Sequence, residues 1–357
     1  MSASLARGNP DAGEEFNRLA LALFARQREA VPIYRELCDR RGAGPDSVRQ
    51  WWQIPALPTS AFKEHEVSSI PAAGRARVFH SSGTAGQAPS RHFHSAETLA
   101  LYEASLLPWF ERHFFASRQP PMKLFFLTPK EAPHSSLVHM FETIRQKLGA
   151  PKSAFAGQID AEGRWTLDIA ALLAALDNNP QSAIRNPQLI LGTAFSFVHL
   201  LDFLTEKNLR FNLPAGSRVM ETGGYKNRSR SMPKAELHAL ITDRLGIPPG
   251  NIVSEYGMCE LSSQAYDTSR LTPRAPRLFH FPPWARAQVI SPETGQEVSE
   301  GEPGLIRVFD LANVFSVMAI QTEDLAICRS DGFELIGRAQ PAEPRGCSLM
   351  SVEALKR

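Results

Sequence analysis

The sequence predicts an α/β fold: a buried, mostly parallel sheet with helices, followed by a small β-rich section. Three observations carry this expectation. Short apolar runs without alternation recur between residues 77 and 257, as strands buried on both faces require. Amphipathic stretches at helical spacing lie between them, the order of crossover-linked parallel strands. After Pro273 the runs alternate and are joined by Gly-rich turns, the pattern of antiparallel hairpins.

Taken in order, the chain opens with a helical stretch. "EEFNRLALALFARQREAVPIYRELCDRR" sets Phe16, Leu19, Leu23, Ile33 and Leu37 at helical spacing, with Pro32 as a break. The runs "RVFHSS", "KLFFLTP", "PQLILGT", "SRVMETGG" and "GNIVSEYG" are candidate strands, and "SAETLALYEASLLPWFERHF" and "PKAELHALITDRLG" are candidate helices. "ARAQVISPETGQEVSEGEPGLIRVFDL" and "DLAICRSDGFELIGR" each predict a hairpin. The texture divides the chain into a helical segment (1–75) packed on a main lobe, an α/β core (76–272), and a β-rich section with a tail (273–357).

At 357 residues and 43% hydrophobic content the chain can bury a full core and form two lobes. A net charge of +2 gives no electrostatic case for a nucleic-acid or membrane surface. The first residues lack the apolar run of a signal peptide, and no later run reaches the length of a membrane span. A cytoplasmic protein without stable membrane insertion is the expectation. Cys38, Cys259, Cys328 and Cys347 are far apart and form no C-x-x-C pair, so free thiols are expected.

Ser81, Ser82, Gly83, Thr84 and Gly86 follow a predicted strand. Successive N–H groups there can form a nest for phosphate, and the glycines allow close approach. No G-K-[ST] opens a helix, so this is not a Walker loop. A polar turn has the same composition. In "SEYGMCEL", Tyr256 and Gly257 can receive a purine, and Glu260 can face Mg²⁺. Gly223 and Gly224 in "ETGGYKNRSR" can admit a flat adenine against the backbone, with Lys226 as a phosphate counter-charge. Asp324 before one alternating strand and Arg338 after the next offer a ribose acceptor and a donor fork, although strand-end charges are common. His134 precedes an expected helix start, where helix N–H groups and an imidazole can hold an anion; a capping or loop histidine fits equally. His80, His92 and His94 lack a fourth ligand at metal-site spacing and are expected as exposed strand residues, with His92 and His94 on one face.

In their order and separations these elements resemble adenylate-forming enzymes: "SSGTAG" their phosphate loop, "YGMCE" their Y-G-x-T-E motif, "TEDL" their T-G-D motif, and "GR" their nucleotide-closing arginine. Cys259 replaces the usual threonine and Glu323 the usual glycine. Within that superfamily, "PHSSLVHM", "LILGTAF", "ETGGYKNRSR", "EYGMCELSSQAY" and "PRGCSL" together resemble the acyl-protein synthetase (LuxE) family, from about Trp52 to Leu349.

That resemblance implies the N-terminal lobe of an adenylate-forming enzyme plus the small β-rich section, lacking the usual mobile C-terminal domain. It implies ATP and Mg²⁺ as cofactors and a fatty-acid substrate converted to acyl-AMP. The acyl group would pass as a thioester to a cysteine near the C-terminus, identified as Cys347, and on to an acyl-acceptor or acyl-reductase protein. Arg345 would favour the Cys347 thiolate. Cys259 is the rival acceptor, and Cys38 and Cys328 are expected in packing roles. The family pattern sets the His134 segment against the acyl carboxylate, making His134, Glu260 and Cys347 the candidate catalytic residues. Lys226, Arg91 or a partner subunit would replace the missing domain's lysine. Two other functions stay open: an acyl- or aryl-CoA ligase, and a non-catalytic acyl- or nucleotide-binding subunit.

Overall fold

A computed structural model describes residues 10–81, 88–115, 122–149, 151, 153–176, 186–224, 230–268 and 276–339. The candidate residues Ser82, Gly83, Thr84, Gly86, Lys226, Arg345 and Cys347 lie outside these. The fold is mixed α/β, and the chain divides into two compact units that interleave in sequence. One gathers Met1–Ser105, Met258–Ala265 and Pro276–Arg357, and the other Leu106–Gly257 and Tyr266–Ala275.

The 106–257 unit holds the parallel sheet that the apolar runs predict. Its strands lie side by side as Ala154–Phe155, Lys123–Phe126, Gln188–Thr193, Arg218–Thr222 and Ile252–Tyr256, each pair parallel. Burial on both faces explains the continuous apolar runs: all of Ile252–Tyr256, and all but the last residue of Gln188–Thr193, are buried. The helices Ala194–Glu206 and Lys234–Leu245 place Val198, Leu201, Leu237 and Ile241 in one core with Ile190, Val219 and Ile252 of the sheet. Each such side chain contributes roughly 1.5–3 kcal/mol when fully buried.

From Lys123–Phe126 the chain first moves outward to Ala154–Phe155, then returns to add the remaining strands on the other side. The carboxyl ends of Lys123–Phe126 and Gln188–Thr193 therefore flank a topological switch point, where open α/β sheets bind ligands. Gly192 allows this pair to approach closely, since a Cβ there would stand 2.8 Å from Leu127 Cβ. A helix leaves each strand end. Ser135 caps Ser136–Leu148 by accepting from Val138 N at 3.2 Å, and Thr193 caps Ala194–Glu206 by accepting from Ser196 N at 3.3 Å.

The other unit contains the N-terminal helices Pro10–Ala30 and Pro32–Arg40, with Pro32 opening the second helix as the break expected from sequence. They pack on an antiparallel sheet in the order Ala285–Ile290, Pro303–Asp310, Ala319–Arg329, Gly332–Arg338 and Leu278–His280. The two predicted hairpins supply four of these strands. Gln27, 1% exposed, donates to Asn313 O at 2.5 Å and accepts from Met318 N at 2.9 Å, tying the first helix to the loop before Ala319–Arg329. Trp51 packs edge-on against Phe16 at 5.6 Å and Phe309 at 4.9 Å. The hairpin Arg77–His80 and Arg91–His94 belongs to the same unit. Among the described residues, no helix is long and apolar enough to cross a membrane.

Candidate active site

The serine-glycine segment falls in sequence between Arg77–His80 and Arg91–His94, which pair as antiparallel strands. Its neck is closed by Ser81 N donating to Ser90 O at 3.2 Å and Ser90 N donating to Ser81 Oγ at 2.9 Å. Alternation on the second strand puts His92 and His94 on one face, as the sequence predicts, but that face is buried: they are 3% and 1% exposed. The expectation of exposed strand histidines is corrected here. Period-two spacing says which residues share a face, not which face meets the core. The two imidazoles lie tilted to one another with centroids 4.3 Å apart, beside Phe79 and Phe62.

His92 Nδ1 bonds the carbonyl of Cys259 at 2.8 Å. A carbonyl only accepts, so Nδ1 carries the proton. Burial pushes this imidazole down to about 4 against the raising effect of that bond, so it is neutral near pH 7. Glu260 follows, 4% exposed. Its Oε2 accepts from the Cys259 thiol at 3.2 Å, and its own carbonyl accepts from Asn313 Nδ2 at 2.8 Å. Asp310 braces the next turn by accepting from Ser262 N and Ser263 Oγ, each at 2.8 Å, and burial pushes its carboxyl up against these bonds. The candidate residues Ser81 and Glu260 are thus joined through His92 within one unit.

Asp324 and Arg338 are register partners on neighbouring strands of the same unit. Arg338 is exposed and pairs with Glu323 at 2.7 Å, the acid that replaces the usual glycine. Asp324 is half-buried, its N–H donating to Thr322 Oγ1 at 3.1 Å.

The boundary between the units falls inside "YGMCE", after Gly257. Tyr256, 6% exposed, ends its strand on the 106–257 side, and Gly223 and Gly224 follow the neighbouring strand as exposed residues. Gly223 has φ +70°, which favours glycine. His134 is exposed, two residues before the first residue of Ser136–Leu148 and at the switch point.

Two carboxylates that sequence reading missed stand just before these glycines and Tyr256. Glu221, 2% exposed, accepts from Ser254 Oγ at 2.5 Å and lies 3.3 Å from His238 Nε2 and 3.5 Å from Lys234 Nζ. Burial alone would raise its pKa, but Lys234, His238 and Ser254 outweigh this and hold it at about 2. Glu255, one register step along on the opposite face, accepts from Thr222 Oγ1. Burial and the Glu221 charge push it up to about 7. The available signal was an acid within each of two short strands that also carry Val219 and Met220, and Ile252 and Val253.

Mg²⁺ needs hard oxygen ligands and keeps several waters or phosphate oxygens beside one or two carboxylates. Glu260 fits that demand. It is a fixed carboxylate with one oxygen engaged by a weak thiol donor, while its Oε1 takes no hydrogen bond from a described residue. Among the described residues no group of three His, Cys, Asp or Glu could hold a metal by themselves. Cys259 is buried with its thiol donating to Glu260. Cys38 and Cys328 are buried too; burial pushes the Cys38 thiol up to about 11 and raises that of Cys328.

Comparison with known proteins gives one family and one fold. The family described as "Acyl-protein synthetase, LuxE" matches residues 4–356. The long-chain-fatty-acid–luciferin-component ligase of Aliivibrio fischeri is 23% identical over 342 residues, covering 91% of this chain and 84% of that protein. The ligase of the same name from Vibrio harveyi is 23% identical over 336 residues, covering 90% and 83%. Among solved structures, 2-hydroxyisobutyryl-CoA ligase with 2-HIB-AMP and CoA superposes with a TM-score of 0.69 at 14% identity, over 95% of this chain and 70% of that one. ATP-bound MatB from Rhodopseudomonas palustris gives 0.50 at 18% identity, over 84% and 56%. The α/β architecture is thus that of adenylate-forming ligases.

Proposed function

The chain belongs to the acyl-protein synthetase (LuxE) family, and from that premise we propose that it activates a fatty acid with ATP and carries the acyl group on Cys347. The observation that carries this reading is the burial of the Glu260 carboxylate in a turn whose backbone is bonded, at Cys259 O, to His92 of the strand that leaves the serine-glycine loop.

The fatty-acid carboxylate attacks the α-phosphorus of ATP. A carbon-bound oxygen becomes bonded to phosphorus, the bond to the β-phosphate oxygen breaks, and pyrophosphate leaves. Both reactants are anionic, so positive groups must lie between them. Mg²⁺ held at Glu260 would supply that neutralisation. Ser81, Ser82, Gly83, Thr84 and Gly86 cradle the β,γ-phosphates through backbone N–H groups and hydroxyls. Tyr256, Gly257, Gly223 and Gly224 take the adenine, Asp324 the ribose hydroxyls, and Arg338 the ribose or phosphate. His134 and the start of Ser136–Leu148 hold the carboxylate before attack.

Acyl-AMP is a mixed anhydride, which a thiolate attacks without further activation of the carbonyl. Cys347 Sγ bonds to the acyl carbon, the carbon–oxygen bond to AMP breaks, and AMP leaves. Cys259 is a poor rival because its thiol is buried and donates to the neighbouring carboxylate. The thioester is then available to an acyl-acceptor or reductase protein. ATP–pyrophosphate exchange tests the first half. Exchange is expected only with fatty acid present, and its absence under saturating ATP, Mg²⁺ and fatty acid would favour a binding subunit. Formation of free acyl-CoA without protein acylation would favour the CoA ligase.

A further inference from the structure

We infer that His92 is a positioning residue that sets the Glu260 carboxylate relative to the neck of the serine-glycine loop. The inference rests on the reading of Glu260 given above. The segment from Gly257 to Gln264 belongs to neither helix nor strand, so no regular ladder orients it. Two side chains do so instead. His92 Nδ1–H holds the carbonyl of Cys259 at 2.8 Å, and Asn313 Nδ2 holds the carbonyl of Glu260 at 2.8 Å.

These two carbonyls belong to the peptide planes on either side of the Glu260 Cα. Each plane is rigid, so fixing both fixes the Glu260 φ and ψ and with them the direction of its Cα–Cβ bond. Asn313 is itself held, accepting from Ser262 Oγ at 2.6 Å. His92 is held by its surroundings: it is 3% exposed, with its ring tilted against His94 at 4.3 Å and edge-on to Phe62 at 6.1 Å. The ring cannot turn without displacing them.

His92 also stands two residues from Ser90, whose N–H and carbonyl close the loop neck on Ser81. A shift of the neck is therefore transmitted to Cys259 through one short bond. No contact of His92 with substrate is required. Its contribution is a carboxylate already aimed before ATP arrives, the form of preorganisation that costs no rearrangement during reaction.

The test compares two amides. In His92→Asn the side-chain nitrogen falls where Nδ1 lies and can still donate to Cys259 O, whereas in His92→Gln it falls nearer the Nε2 position. Both variants are to be measured as full chains by hydrogen exchange of the 257–264 backbone without ligand, and by ATP–pyrophosphate exchange. His92→Asn, which keeps the donor but loses the ring contacts, should retain more of the wild-type protection and kcat than His92→Gln. His92→Gln should exchange faster in 257–264 and lose about 10-fold in kcat, with the KM for ATP changed less than two-fold. Equal behaviour of the two variants in both measurements overturns the inference, as does a folded His92→Gln protein with wild-type protection and kcat. Should the wild type show no pyrophosphate exchange while 257–264 is protected in wild type and His92→Asn but not in His92→Gln, the positioning stands and the adenylation reading falls.

Discussion

Glu260, Glu221 and Glu255 are all buried carboxylates, and their partners set them to different work. Glu260 meets one weak donor, and its Oε1 takes no hydrogen bond from a described residue; in the proposed reaction that oxygen would face Mg²⁺. Replacing it with glutamine preserves shape and removes the charge, so pyrophosphate exchange should fall about 10²-fold or more. Unchanged exchange in Glu260→Gln would make the residue structural. Glu255 has its pKa raised to about 7 from 4.5. Between those values the folded state binds more protons than the unfolded state, so its contribution falls as pH rises through that window. Glu221, lowered to about 2, acts oppositely: its contribution is present above 4.5 and lost as pH falls towards 2. His92, lowered from 6.5 to about 4, contributes fully above 6.5 and less as pH falls. Urea midpoints of Glu255→Gln relative to wild type should therefore climb from pH 4.5 to 7 and level off above it; parallel curves would contradict the assignment. Glu260 stands out in the sequence because it is the acid four residues after the aromatic of an aromatic-glycine pair. Glu221 and Glu255 do not, since runs such as "VMETGG" register as apolar strands whatever single acid they carry. The burial of His92 is not legible in the sequence, because alternation leaves the identity of the buried face open.

At the scale of elements, every strand predicted from an apolar run is present, as are both late hairpins and the amphipathic helices. Arg77–His80, however, pairs antiparallel with Arg91–His94 in a sheet of its own and not in the parallel sheet where its apolar run was expected. Long periodic segments carry their own signal. The strands Ala154–Phe155, Gly157–Ile159 and Trp165–Leu167 went unseen because two or three residues are too few to show a period. The switch-point pair depends on Gly192. In Gly192→Ala the new methyl must displace Leu127 from 2.8 Å, and the substitution should cost roughly 1–3 kcal/mol in urea unfolding. An unchanged midpoint would show that the two strands part without strain.

For the whole molecule, texture arranges segments in series, whereas the compact units interleave. Residues 10–40 pack with the sheet of residues 278–338, through contacts such as Gln27 with Asn313 that span 286 positions. Nothing local in a helix announces a partner that distant. The unit boundary within "YGMCE" was equally invisible, because a motif is continuous in sequence wherever the fold divides. The central claim concerns a residue outside the described ones, and intact-protein mass spectrometry addresses it directly. After incubation with ATP, Mg²⁺ and a series of fatty acids, the wild type should gain the mass of one acyl group, released by neutral hydroxylamine. In Cys347→Ser that mass should vanish while fatty-acid-dependent pyrophosphate release persists, since serine stays protonated at neutral pH and adenylation needs no thiol. A hydroxylamine-sensitive acyl mass retained in Cys347→Ser, or an unmodified wild type that makes acyl-CoA instead, would contradict the account.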